Sequence, residues 1–238
     1  MRQYHRVFPN REEAEEYLGE CWGRNQIIMS WLDELHVRGV RDVLELGSNP
    51  YFLSLLIQKY FPFNLQLGNY FGDPSRNGPQ NDAMEVDGKK HEFVYQHFNI
   101  ENDRFPYSDA TFDVVIFCEI IEHLLMSPDA PVAEINRVLK PDGFIIISTP
   151  NAVRLANLAH LIRGRNIYPG YSPHGPYGRH NREYTLDEVK DLLQRHDFKV
   201  VKAEVIDLHP HSWKRRIAKA LGPETWRDHL FVMGQKNR

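Results

Sequence analysis

Asp42-Val43-Leu44-Glu45-Leu46-Gly47-Ser48-Asn49-Pro50-Tyr51 is the stretch on which the fold turns. A short, mostly apolar run stops at a glycine, and an apolar segment over residues 51–60 follows without a linker. Asn49 reads as an N-cap and Pro50 suits a first helical position, so the pattern predicts a strand passing at once into a helix. Further strands are expected over 64–68, 93–97, 114–118, 144–149, 200–206 and 230–233. The run Val114-Val115-Ile116-Phe117-Cys118 has no polar member, the mark of a strand buried on both faces of a parallel sheet. Ser127-Pro128-Asp129 opens a helix expected to reach Lys140, and Pro141-Asp142-Gly143 makes a turn. Thr185 and Glu188 form a capping-box pattern ahead of Leu186, Val189, Leu192 and Leu193. Residues 71–92, with Gly72, Pro74, Gly78, Pro79 and Gly88, read as an irregular connection in place of a crossover helix.

Strands alternating with helices predict a doubly wound, Rossmann-like α/β fold. Its seven strands are mostly parallel, with an antiparallel strand at the C-terminal end. The chain has 238 residues, 42% hydrophobic and 26% charged, which fits one globular domain. Twenty-nine basic against 32 acidic side chains give nucleic-acid binding no support. Cys21 and Cys118 alone rule out a disulfide framework and any paired-cysteine zinc spacing. No metal site is read from the spacing of the histidines either, and His209-x-His211 reads as solvent-facing. With no signal-like start and no apolar run long enough to span a bilayer, the expectation is a cytoplasmic protein.

In such sheets ligands sit beyond the carboxyl ends of the strands, here around residues 47–50, 69–70, 99–101 and 118–123. A dinucleotide site would want two more glycines after Gly47, and Pro50 also lacks an N–H donor. Glu45 would repel a phosphate but attract an amine. The turn therefore disfavours an NAD-dependent oxidoreductase, and suits a nucleoside carrying an amino-acid tail.

Several segments then resemble the class I S-adenosylmethionine (SAM)-dependent methyltransferases. They are Val43-Leu44-Glu45-Leu46-Gly47, Asn99-Ile100-Glu101 with Phe105-Pro106-Tyr107, Phe112-Asp113-Val114-Val115, Cys118-Glu119-Ile120-Ile121-Glu122-His123-Leu124, and the run from Glu134 to Gly143. Together they cover roughly residues 40–150, with the closest likeness to the branch that modifies small molecules and glycans. His180-Asn181-Arg182-Glu183-Tyr184-Thr185 resembles a segment of glycan-pathway methyltransferases. The resemblance implies SAM as cofactor, with Glu45, Gly47, Ser48 and Asn49 around its methionine portion. Asn69 would lie at its ribose and Asn99 at its adenine, with Tyr70, Ile100 and Glu101 as further cofactor contacts. Cys118 and Glu119 would line the pocket. Asn69 and Asn99 both stand where the family usually has an acid. A single domain is expected over 1–238: a helical cover (1–40), the cofactor-binding core (41–150), an acceptor lid (151–185) and the rest of the sheet (186–238).

Methyl transfer to oxygen benefits from a base near neutral pKa. His123, beside Glu122, is one candidate and His180 the other. The stretch 151–182 holds five arginines, three histidines and no acid. Tyr177, Arg179, Arg182 and Tyr184 are the expected acceptor contacts, since Arg suits phosphate or carboxylate. The expected reaction is O-methylation of a small, anionic or glycan-like or lipid-linked acceptor. A methyltransferase-like binding protein without catalysis is the alternative. The basic segment 213–221 could touch a membrane surface, although a helix lying on the core is preferred.

Overall fold

A computed structural model describes residues 11–86, 88–168, 170–173, 175–208 and 222–238, without the side chains of 11–18 and 20. Pro169, His174, His209-x-His211 and the whole of the basic segment 213–221 thus lie outside the described residues. The helices are α1 (Arg11–Val37), α2 (Phe52–Tyr60), α3 (Asp129–Val138), α4 (Leu155–Ile162) and α5 (Leu186–Arg195). The strands are β1 (Asp42–Leu46), β2 (Asn64–Asn69), β3 (Gly78–Val86), β4 (Lys89–His97), β5 (Phe112–Cys118), β6 (Leu139–Pro150), β7 (Phe198–Ile206) and β8 (His229–Lys236). They form one sheet in the order β3-β4-β2-β1-β5-β6-β8-β7. The five strands from β4 to β6 run parallel, while β3 and β8 run against their neighbours.

Alternation along each strand divides the core in two. Leu44, Val115, Phe117, Ile145 and Ile147 face α3 and α5 through Ile135, Val138, Val189 and Leu193. Val43, Val114, Ile116 and Ile146 face α1 and α2 through Ile28, Trp31, Leu32, Leu35 and Ile57. This is the doubly wound arrangement, with α1 as the expected cover. The capping box at α5 is formed in full, Thr185 and Glu188 each satisfying the other's backbone N–H.

Three details differ from expectation. The sheet has eight strands, because residues 71–92 hold β3 and the start of β4. Gly78 and Pro79 read as breakers, but they open an edge strand, where a missing N–H is tolerated. The second difference is at α2, which begins at Phe52 with Tyr51 as its cap at φ 69°, after a cis Asn49–Pro50 bond. Asn49 is held in the turn before the helix, its backbone N–H bonded to Asn69 Oδ1 (3.1 Å), and Tyr51 is drawn onto Phe93, ring on ring at 4.3 Å, so the helix opens later than Asn49. Finally, α3 stops at Val138 and β6 starts at Leu139, so the expected turn at 141–143 lies inside that strand's range. Among the described residues, no helix is long and apolar enough to cross a membrane.

Candidate functional site

The order of strands reverses at β1, which lies between β2 and β5. Ligands of such sheets bind at the crevice this opens beyond the strand ends. Gly47 turns out of β1 there at φ 65°, and a Cβ added to it would lie 2.8 Å from the Ile120 side chain. Glu45 is buried one turn below and accepts a hydrogen bond from the Ser54 hydroxyl at 2.6 Å. Burial pushes its carboxyl up to about 8, against the Ser54 bond, which lowers it. The neighbouring Ser48 Oγ is buried with no hydrogen-bond partner among the described residues.

Across the crevice, Asn69 is committed at both ends of its amide. Its Oδ1 accepts from Asn49 N–H, and its Nδ2 donates to the Tyr51 hydroxyl at 3.3 Å. Tyr51 in turn donates to Asp82 of β3, so the hairpin is tied to the β1 turn. Tyr70 meets the ring of Tyr177 edge-on. Asn99 Oδ1 caps the Glu101 N–H, and its Nδ2 lies 3.5 Å from the Tyr177 hydroxyl. Glu101 accepts from the backbone N–H groups of Leu125 and Met126. A cleft of about 430 Å³ opens beside Ile100, Glu101 and Arg104, on the α3 side, and includes none of Glu45, Gly47 or His123.

At the tip of β5 the side chains divide. The Cys118 thiol packs into the α1 side of the core, and burial pushes it up beyond reactivity. Glu119, at φ 56°, accepts from Ser148 and pairs with His229 (2.6 Å) and Arg24 (3.2 Å). Despite burial, these partners hold its carboxyl down to about 2. Glu122 is fully buried. Its Oε2 accepts from Thr149, while its Oε1 has no hydrogen-bond partner among the described residues. Burial and the neighbouring Glu119 hold its carboxyl well above the usual range.

The segment 151–185 docks on this tip by its backbone. Asn181 N–H donates to the Glu122 carbonyl at 2.7 Å, and Asn181 Nδ2 to the His123 carbonyl. His123 Nδ1 donates to the Arg179 carbonyl at 2.8 Å. Burial, then the nearby His180, keep His123 below its usual range. The spacing of the histidines in the sequence shows no metal site, yet the fold brings Glu122, His123 and His180 together, with ligand atoms within 4.8 Å of one another. The other expected acceptor contacts are not all available. Tyr184 is buried and Arg182 pairs with Glu188, whereas Arg179, over the Tyr171 ring and donating through Nε to Asn181, pairs with no acid among the described residues. Sequence reasoning gave no role to Glu183, which binds His180 and Arg154, or to His229 and Arg24. The His180-x-x-Glu183 spacing was the available signal.

The methyltransferase-domain family matches residues 4–203 of the chain. The chain belongs to the class I SAM-dependent methyltransferases. A protein of Mycolicibacterium smegmatis named "probable S-adenosylmethionine-dependent methyltransferase" is 35% identical over 95 residues, 40% of this chain and 32% of that protein. A counterpart in Mycobacterium tuberculosis is 35% identical over 88 residues, 37% of this chain and 27% of its own length. The match thus spans under a third of either relative. Among solved structures, a SAM-dependent methyltransferase from Archaeoglobus fulgidus aligns with a TM-score of 0.57 at 17% identity, over 93% of this chain and 99% of that one. The Burkholderia thailandensis 1,6-didemethyltoxoflavin N1-methyltransferase, solved with S-adenosylhomocysteine bound, gives 0.56 at 15% over 99% and 84%. These two likenesses carry the fold.

The family's cofactor is SAM, and the residues at the crevice fit it. Glu45 is a buried carboxyl whose one hydrogen-bond donor is neutral, Ser48 Oγ lacks a hydrogen-bond partner among the described residues, and Gly47 leaves the backbone bare. An ammonium and carboxylate tail would satisfy these groups. Asn69 Oδ1 keeps one lone pair for a ribose hydroxyl while still holding Asn49.

Proposed function

We propose that the chain transfers the methyl group of SAM to a hydroxyl of a small or glycan-like acceptor carrying negative charge. When bound, SAM supplies a methyl carbon whose bond to sulfur breaks with the electron pair leaving on sulfur. Glu45 and the turn at Gly47–Asn49 orient the donor's amino-acid tail. Asn69 steadies that turn from the next strand. Tyr177 and Tyr70 close over the crevice from opposite sides, excluding water.

The acceptor oxygen is activated at the tip of β5, where Glu122, His123 and His180 converge; this convergence is the observation that carries the reading. His123 meets the Arg179 carbonyl and His180 the Glu183 carboxylate through Nδ1, which leaves each Nε2 for the acceptor. Charge recognition falls to the lid arginines Arg163, Arg165 and Arg179, since Arg154 and Arg182 are bound to Glu183 and Glu188.

Production of S-adenosylhomocysteine, followed over a panel of hydroxyl and amine acceptors with and without acidic groups, tests this reading. Turnover is expected with acidic hydroxyl compounds. Turnover confined to amines would overturn the oxygen acceptor, and turnover indifferent to acidic groups would overturn the charge.

A further inference from the structure

We propose that Glu122, His123 and His180 bind a divalent first-row transition-metal cation on the acceptor side of the crevice. Only the task given to that cation rests on the methyltransferase reading; the site itself stands on the geometry.

Both rings are prepared as ligands. His123 Nδ1 sits 2.8 Å from the Arg179 carbonyl, which can only accept, so that nitrogen carries the proton and Nε2 the lone pair. His180 Nδ1 is 3.0 Å from Glu183 Oε1. Glu183 is itself gripped by Arg154, and by Asn157 at 2.8 Å. Engaging the far ring nitrogen with a carbonyl or carboxylate is how proteins fix the tautomer of a metal-binding histidine. Here both histidines have it. Their rings lie 5.1 Å apart at 82°, and His123 Nε2 is 4.0 Å from Glu122 Oε1.

The second observation is independent of the histidines. Glu122 Oε1 is enclosed, its side chain 1% exposed, and has no hydrogen-bond partner among the described residues. Leaving such an oxygen unsatisfied is unfavourable, since its desolvation goes uncompensated. A cation between it and the two Nε2 atoms would satisfy all three. Metal–ligand distances of about 2.0–2.2 Å need ligand atoms roughly 3–3.5 Å apart. The three side chains would draw in by about 1 Å, the carboxyl losing its proton on binding. Two imidazoles and one carboxylate favour zinc, iron or cobalt over magnesium or calcium.

Three protein ligands leave a coordination position open. An acceptor hydroxyl bound there gives up its proton to water more readily, keeping its electron pair for attack on the methyl carbon. The cation thereby supplies at neutral pH what a lone imidazole base would supply less completely.

The test uses the full chain with His209→Ala and His211→Ala, which removes the separate His-x-His pair, after stripping with a chelator. Co²⁺ is titrated in, its visible d–d absorption recorded, and SAM binding followed by calorimetry on the same sample. One equivalent of Co²⁺ is expected. His180→Ala and Glu122→Gln, checked for folding by circular dichroism, should lower its affinity by about 100-fold or more. Glu183→Gln, which leaves all three ligands in place, should lower it by about 10–100-fold. If Glu122→Gln does not fold, His123→Ala on the half-exposed ring asks the same question. Unchanged affinity in His180→Ala or His123→Ala, or no Co²⁺ uptake by protein that binds SAM, would overturn the metal site and leave the methyltransferase reading standing. Co²⁺ uptake without SAM binding would do the reverse.

Discussion

Replacing Glu45 by Gln should make the ligand-free protein more stable at neutral pH while weakening its grip on SAM. The carboxyl is 4% exposed, with the Ser54 hydroxyl as its hydrogen-bond donor, and burial raises it to about 8 from 4.5. An acid raised in the folded state stabilises the fold fully below about pH 4.5, where both states hold the proton. That contribution is lost as pH climbs toward 8, because the unfolded chain has already released its proton. At pH 7 the loss amounts to about 3 kcal/mol, at about 1.4 kcal/mol for each pH unit crossed. Gln has no proton to release, so the decline should vanish. Its unpaired amide N–H groups offset part of the gain, by about 1–3 kcal/mol, but equally at every pH. The slope is therefore the cleaner readout. Urea unfolding of both proteins at pH 5, 6, 7 and 8 should give lines that diverge, the wild type falling relative to Glu45→Gln. Parallel lines would refute the reasoning. The same buried proton predicts that SAM binding below pH 8 releases close to one proton, seen as a buffer-dependent calorimetric heat.

Gly47→Val should abolish SAM binding in a folded protein, since the new Cβ meets Ile120 at 2.8 Å and the φ of 65° disfavours a branched residue; unchanged affinity by calorimetry would remove the turn from the site. Asn69→Asp, which restores the acid usual in the family, should nonetheless destabilise by about 1–3 kcal/mol, because it loses the donor to Tyr51 and faces Asp82 across that hydroxyl. An unchanged or higher urea midpoint counts against that network. Arg179→Ala should raise the acceptor's KM and leave SAM affinity alone, and equal effects on both would make Arg179 a prop for His123 rather than an acceptor contact. His229→Phe removes the ring nitrogen 2.6 Å from Glu119 Oε1 while Arg24 and Ser148 stay in place, so stability should fall by about 1–3 kcal/mol, as for a lost buried hydrogen bond; a thermal midpoint within a degree of wild type would show that Arg24 and Ser148 suffice.

The parallel core was legible because its signals are local and mutually consistent. The apolar run 114–118 and the Thr185–Glu188 box each point to one structure without help from distant residues. The hairpin was not, because Gly78 and Pro79 say only that regular structure is interrupted. Their place at the edge of a sheet is decided by Phe93 and Tyr95 on the partner strand, which pack with Tyr51. The start of α2 differs for a related reason: Asn69, twenty residues on, holds the Asn49 backbone in the turn, and Phe93, further still, holds the ring of Tyr51. At the tip of β5 the residue types were visible but not their pairing. Glu119 and Glu122 look alike in the sequence, yet one meets His229 and Arg24 and the other is left with an empty oxygen. His123 and His180 read as rivals because nothing in a linear chain reveals that Asn181 bonds the backbone of Glu122 and sets the two rings side by side.

The two outermost strands of the sheet bear on how the protein behaves when concentrated. An open sheet ends in rows of unpaired backbone groups that can recruit the edge of another molecule and seed aggregates. At one end β3 carries Pro79, which has no N–H to offer such a neighbour. At the other, the register of β7 slips between Val200 and Lys202, and a bulge beside a lysine interrupts the row. Proline at one margin and a bulge with positive charge at the other are two separate safeguards. Smoothing β7 by deleting Val201, or replacing Pro79 with Val, would expose a longer template and shift the molecule toward fibrillar association.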